Sequence, residues 1–163
     1  MTRFIHVFVF GMLLAGCSFA PIQIGVRDIR LPGNSSQGQI CYVGVTERSR
    51  VGFNNATYRA DATYASNAPL GSNDVNIRVY GRESEPANTC VRVSDADTPL
   101  SEPLTLSPSE TTKIEIGGAT YGGDLAGLIV KDTYWLGAAL TGGTFLSLEE
   151  RIDLANGVIS VYF

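Results

Sequence analysis

Histidine is nearly absent from this sequence, and several kinds of chemistry are absent with it. The 163 residues include one histidine, His6, which lies in an apolar stretch near the start of the chain. Residues 17–163 therefore hold no imidazole, which excludes histidine-based triads, histidine metal ligands and imidazole acid–base catalysis there. Lysine is also scarce, and Lys113 and Lys131 leave a serine–lysine pair few places to form.

Positive charge is in deficit. The chain has 12 Lys and Arg against 16 Asp and Glu, a formal net charge of −4, which argues against a nucleic-acid partner. Asp95, Asp97 and Glu102 come nearest to a calcium site but lack the spacing of an EF-hand, and no phosphate-binding or nucleophile motif is present. We expect no cofactor, no metal and no enzyme activity, although a hydrolase working through two carboxylates stays open.

Long apolar runs are missing too, and residues 4–14 are too few for a membrane-spanning helix of about 20 residues. This stretch follows Arg3 and ends in Leu14-Ala15-Gly16-Cys17, an order typical of an export signal. The tetrapeptide resembles the lipobox of bacterial lipoproteins. The resemblance implies cleavage before Cys17, a diacylglyceryl group on its thiol and acylation of the new amino group.

The resemblance covers only the leader. It implies that residues 1–16 are the signal peptide and that residues 17–21 are the lipidated cysteine with a short tether. The length of the remainder, residues 22–163, predicts a single domain. The resemblance also implies a lipid-anchored protein of the cell envelope, with the membrane as one partner. Ser18 stands where some members carry an inner-membrane aspartate, which favours an outer-membrane or outward-facing position over the cytoplasm. An ordinary secretory signal with a chance cysteine is the alternative.

Two cysteines remain in the body of the chain, Cys41 and Cys90. An exported protein folds in an oxidising compartment, so we expect these thiols to form a disulfide. Closing a loop of about 50 residues stabilises a fold by roughly 4 kcal/mol in the chain-entropy model. Two buried free thiols are the alternative.

Alternation with period two dominates the chain after residue 21, and it predicts an all-β fold. Residues 56–64 and 75–80 each place apolar side chains on one face and polar side chains on the other. The other candidate strands are 22–31, with a bulge near Arg27 and Asp28, then 39–46, 89–94, 112–117, 128–140 and 158–163. About eight or nine strands suit an antiparallel β-sandwich.

Glycine, proline and asparagine mark the connections. Asn156-Gly157 is the strongest hairpin signal in the chain. Residues 95–111 hold three prolines, which makes a central strand implausible there and predicts a loop that crosses between the sheets.

Residues 147–155 fit two structures. Ser147-Leu148-Glu149-Glu150 has the form of a helix capping box, whereas alternation places Leu146, Leu148, Ile152 and Leu154 on one strand face. We favour the strand, because a short antiparallel strand would connect the predicted strands on either side. That strand puts Glu150 on the apolar face, and we expect a bulge or an edge position to return its carboxylate to water.

Aromatic residues offer a candidate binding surface. Tyr134 and Trp135 are neighbours, so they point to opposite faces of a strand and one of them is expected in the core. The other, together with Tyr121, could form a platform for a sugar ring or a partner. The favoured alternative is that both rings pack within the fold or under a loop. The sequence thus predicts a lipid-anchored β-sandwich acting as a structural or accessory binding subunit with an envelope protein partner. A small-ligand or carbohydrate-binding module is the alternative.

Overall fold

Two antiparallel sheets pack face to face, which confirms the predicted β-sandwich. The computed structural model describes residues 20–47, 53, 55–68, 73–117 and 125–163. In these residues the first sheet holds β1 (Ile22–Val26), β2 (Ile29–Pro32), β4 (Asn55–Ala65), β9 (Thr111–Gly117) and β11 (Arg151–Tyr162). The second sheet holds β3 (Gln39–Val45), β5 (Val75–Arg82), β6 (Cys90–Arg92), β7 (Thr98–Pro99), β8 (Leu104–Leu106) and β10 (Tyr134–Gly142). A short helix, α1 (Leu125–Ile129), precedes β10.

Hydrogen-bonded pairing sets the order of the strands in each sheet. The first sheet runs β1, β11, β4, β9, with β2 also pairing β11. The second runs β6, β3, β10, β5, β7, with β8 also pairing β5. In β4 the inward side chains, from Ala56 to Tyr64 in steps of two, are all buried, and the core between the sheets consists of such alternating positions. This burial of apolar surface is the main driving force for the fold.

The hairpin predicted at Asn156-Gly157 is wrong, because the chain continues through it as one strand. Both halves of β11 pair with β4, and the register shifts between Ala155 and Val158. Asn156 has a φ of 54°. A β-bulge and a tight hairpin both use residues that tolerate a left-handed backbone, so the same dipeptide serves either structure.

The single strand predicted over residues 128–140 is also wrong at its start. Leu125, Leu128 and Ile129 lie in α1, where all three are buried. Their spacing places them on one helical face, which packs over the end of the sandwich core. The strand itself begins at Tyr134.

The segment 147–155 is a strand only in part. The strand begins at Arg151, and Ile152 and Leu154 are buried in the core as expected. Residues 146–149 form a bend and a turn, so Leu146 and Leu148 do not lie on a strand face; they are 65% and 80% exposed. The expectation for these two leucines is therefore corrected.

The proline-rich segment gives two short strands, which raises the number of strands among the described residues above the predicted eight or nine. Both β7 and β8 pair with β5 at the edge of the second sheet, where Pro99 needs no ladder donor. After β8 the chain passes to β9 in the first sheet, as predicted. In the part of the chain described, no helix has the length and apolar character needed to cross a membrane.

Candidate functional site

The sandwich has two distinct ends, and they carry different features. Ile22 at the start of β1 pairs with Val161 near the end of β11. Residues 143–150, which we call the β10–β11 loop, lie before the start of β11 at Arg151. Ten residue steps along β11 therefore separate the position that pairs with Ile22 from the end of this loop at Arg151, or roughly 30 Å.

The β10–β11 loop displays two leucines to solvent. Leu148 is 80% exposed and Leu146 is 65% exposed, more than any other large apolar side chain among the described residues. Phe145, beside them, turns inward and packs on Tyr64, with 6.0 Å between ring centroids. The loop thus fixes one apolar side chain in the protein and presents the next two outward.

Glu150 is the last residue of this loop, and its carboxylate fixes the loop's backbone. It is 5% exposed, which corrects the expectation that its carboxylate returns to water. The hydroxyl of Ser66 donates to its Oε1 at 2.5 Å, and the backbone N–H groups of Leu146 and Ser147 donate to its Oε2. Burial raises the pKa of Glu150, but these hydrogen bonds, with one from Tyr64, outweigh it and leave the pKa lowered.

A glycine lets the loop sit close to β2. A Cβ at Gly33 would lie 2.5 Å from the carbonyl oxygen of Ser147 and 2.7 Å from that of Glu150. Any larger residue at position 33 would push the loop outward. Gly33, which contacts the loop from outside, and Glu150, which lies within it, therefore both fix its backbone.

Glu150 also borders a concave part of the surface. A depression of about 360 Å³ is lined by Ser66, Ser109, Glu150 and Arg151 with their neighbours. Ser109 has a φ of 62°, an uncommon backbone conformation for serine. However, lowering the pKa makes the Glu150 carboxylate a weaker base, and both of its oxygens already accept hydrogen bonds from the protein. The arrangement suits anchoring of the loop.

A second surface lies on the outer face of the second sheet. Ile40, Tyr42, Tyr80 and Ala139 form a small buried cluster there, separate from the core, and Trp135 packs against it half-buried. The indole lies over Gly44 of β3, where an added Cβ would come within 3.2 Å of its Nε1. Trp135 is thus the exposed margin of an aromatic cluster.

A strap of residues 93–97 crosses this outer face from β6 at one edge to β7 at the other. The side chain of Asp97 is fully buried and fixes the strap. The hydroxyl of Tyr42 donates to its Oδ1 at 2.7 Å and Arg82 donates to the same oxygen at 3.3 Å. Burial, together with the bond to Asp97, raises the pKa of Tyr42. The backbone and hydroxyl of Ser94 donate to Oδ2.

The predicted disulfide between Cys41 and Cys90 is confirmed. The two residues face each other in the register of β3 and β6, with Cα atoms 4.0 Å apart. This bond fixes the edge strand from which the strap starts.

The remaining predicted site residues have different outcomes. Cys17 and Tyr121 lie outside the described residues. Tyr134 and Trp135 do point to opposite faces, but Tyr134 is fully buried in the core and cannot contact a ligand at the surface. Within the described ranges, no three His, Cys, Asp or Glu residues are grouped so as to hold a metal ion.

Sequence reasoning missed the leucine pair, although a signal was present. The Ser147-x-x-Glu150 pattern of a capping box does form one of its hydrogen bonds, from the Ser147 N–H to the Glu150 carboxylate, but no helix follows. No protein-family model and no curated protein matches this chain.

Proposed function

We propose that this protein is a lipid-anchored accessory subunit of the cell envelope, held by acylated Cys17 and docked on a neighbouring envelope protein. The observation that carries the proposal is the separation of two features along β11. The first strand begins at Ile22, soon after the lipobox cysteine, while Leu146 and Leu148 project from the far end of the sandwich. An anchor at one end leaves an apolar loop facing away from the bilayer.

The disulfide supports an extracytoplasmic location. Cys41 and Cys90 are bonded, and such bonds persist in oxidising compartments but are rare in the cytosol. Acyl chains on Cys17 would supply the membrane attachment, because two or more chains hold a protein firmly whereas one holds it marginally.

Membrane fractionation tests the anchor. A Cys17→Ser variant lacks the thiol that receives the lipid, and we expect it to move from the membrane fraction to the soluble fraction. Ser18→Ala, which keeps the cysteine, is the matched control and stays in the membrane fraction. If Cys17→Ser stays in the membrane fraction at the wild-type level, the lipoprotein assignment is contradicted.

Ligand binding at Trp135 is the second candidate function. One observation favours it, since Trp135 keeps part of its indole exposed beside the aromatic cluster of Tyr42 and Tyr80. Aromatic side chains of this kind stack on sugar rings and other flat apolar ligands. Trp135 is the one tryptophan of the chain, so its fluorescence reports such binding directly. A flat response to a panel of oligosaccharides counts against this candidate.

A further inference from the structure

We infer that the β10–β11 loop is the docking element of the proposed accessory subunit, and that its occupant is a partner protein with an apolar pocket bordered by basic side chains. The inference rests on the proposed function and names the surface and the partner's chemistry. Three observations carry it: the leucine pair, the fixed backbone beneath it and the acidic surroundings.

The backbone that carries Leu146 and Leu148 is fixed in one conformation. Glu150 accepts the N–H groups of Leu146 and Ser147, and Gly33 lets the loop's carbonyls approach β2. Phe145 also anchors the loop by packing on Tyr64. A loop already fixed in one conformation loses little further entropy on binding, so its exposed side chains can act as apolar anchors in a partner's pocket.

The charged side chains around the loop indicate which groups should border the partner's pocket. Glu149 is exposed within the loop, and Asp74 is exposed beside it, with its carbonyl 2.8 Å from the place of a Cβ on Gly143. Glu110 is exposed next to Ser109, which lines the same depression as Glu149. Arg151, which follows the loop, directs its guanidinium to Asp153 at 2.8 Å.

These carboxylates favour basic groups on the partner, because complementary charges at an interface speed association and exclude wrong partners. They also disfavour an anionic lipid surface. The loop lies roughly 30 Å along β11 from the end where the chain's first strand begins, which favours a protein over the anchoring bilayer.

The test uses the full-length, tagged protein in its native membrane. We compare the wild type with Leu146→Ser/Leu148→Ser, after mild-detergent extraction, by the amount of co-extracted partner per copy of the protein. Val130→Ser is the matched control, since Val130 is 52% exposed and follows α1 at the opposite end. We expect at least a tenfold loss of partner for the double variant and none for the control. Glu149→Lys should weaken partner retention in low salt, and this effect should diminish as salt is added.

The outcomes are distinguishable. Unfolding midpoints of all variants should match the wild type, because the substituted side chains are exposed. If the wild type is extracted without any partner, the proposed function fails. If a partner is retained equally by the wild type and the double variant, the proposed function stands and the docking assignment is overturned. It is also overturned if the wild type binds protein-free phospholipid vesicles through these leucines, since the occupant is then a bilayer.

Discussion

At the residue scale, Glu150 and Asp97 are two buried carboxylates that play the same structural role in different places. Each carboxylate is buried, and each has its oxygens satisfied by protein donors: Glu150 by Ser66 and loop N–H groups, and Asp97 by Tyr42, Arg82 and Ser94. A buried charge without such donors would be strongly unfavourable. Both residues therefore hold irregular segments, the β10–β11 loop and the strap, against regular strands.

Glu150→Gln tests the loop anchor. The amide keeps the size of the side chain, but it offers one acceptor oxygen in place of two, so we expect a loss of about 1–3 kcal/mol in the free energy of unfolding. Chemical denaturation at neutral pH measures the change. Glu149→Gln, at the exposed neighbouring position, is the control and should stay within about 0.5 kcal/mol of the wild type.

The stabilising effect of Glu150 should also depend on pH. The pKa of Glu150 is lowered in the folded state from its ordinary value of 4.5, so its ionised form stabilises the fold above that pH. This contribution is lost as the pH falls below 4.5 through the lowered folded-state pKa. The stability gap between wild type and Glu150→Gln should therefore narrow in acid, and a gap that is constant with pH would refute the anchor.

Two buried tyrosines give a second test at this scale. The hydroxyl of Tyr42 donates to Asp97, whereas that of Tyr134 is buried without a hydrogen-bond partner among the described residues. Tyr42→Phe should lower the free energy of unfolding by about 1.5 kcal/mol, because it removes a hydrogen bond to a charged group. Tyr134→Phe should be neutral or slightly stabilising, since it removes a buried hydroxyl that is unpaired. Equal effects in thermal or denaturant unfolding would contradict the assigned bonds.

At the scale of elements, the disulfide and the strap act together on the outer face of the second sheet. The bond closes a sequence separation of 49 residues, which stabilises the fold by about 4 kcal/mol in the chain-entropy model. We expect Cys41→Ala/Cys90→Ala to lower the unfolding midpoint to that of the reduced wild type. A midpoint that reductant leaves unchanged would contradict this account.

Element boundaries show what a sequence pattern can predict. β4 and β5 follow from alternation, because a face buried against a core repeats every second residue. The bulge at Asn156-Gly157 could not be distinguished from a hairpin, since the outcome depends on β4 being long enough to pair both halves of β11. Likewise α1 and a strand both bury Leu128, and only the packing decides between them.

At the scale of the whole molecule, the fold class and the disulfide were predictable, and the candidate docking surface was not. Alternating residues define two buried faces whatever their pairing, so a sandwich follows from composition and period. The exposure of Leu146 and Leu148 depends on β11 beginning at Arg151, which local sequence does not determine. Trp135 is exposed in part while Tyr134 is in the core, and the aromatic platform with Tyr121 stays a prediction.

The most direct test of the accessory-subunit proposal is mild-detergent extraction of the C-terminally tagged protein from its native membrane, followed by size measurement and mass spectrometry of the extracted species. The account predicts a stoichiometric complex well above the 17.4 kDa of the chain, with one larger envelope protein present in every preparation. A bare monomer in its detergent micelle would contradict it, and would shift attention to ligand binding at Trp135.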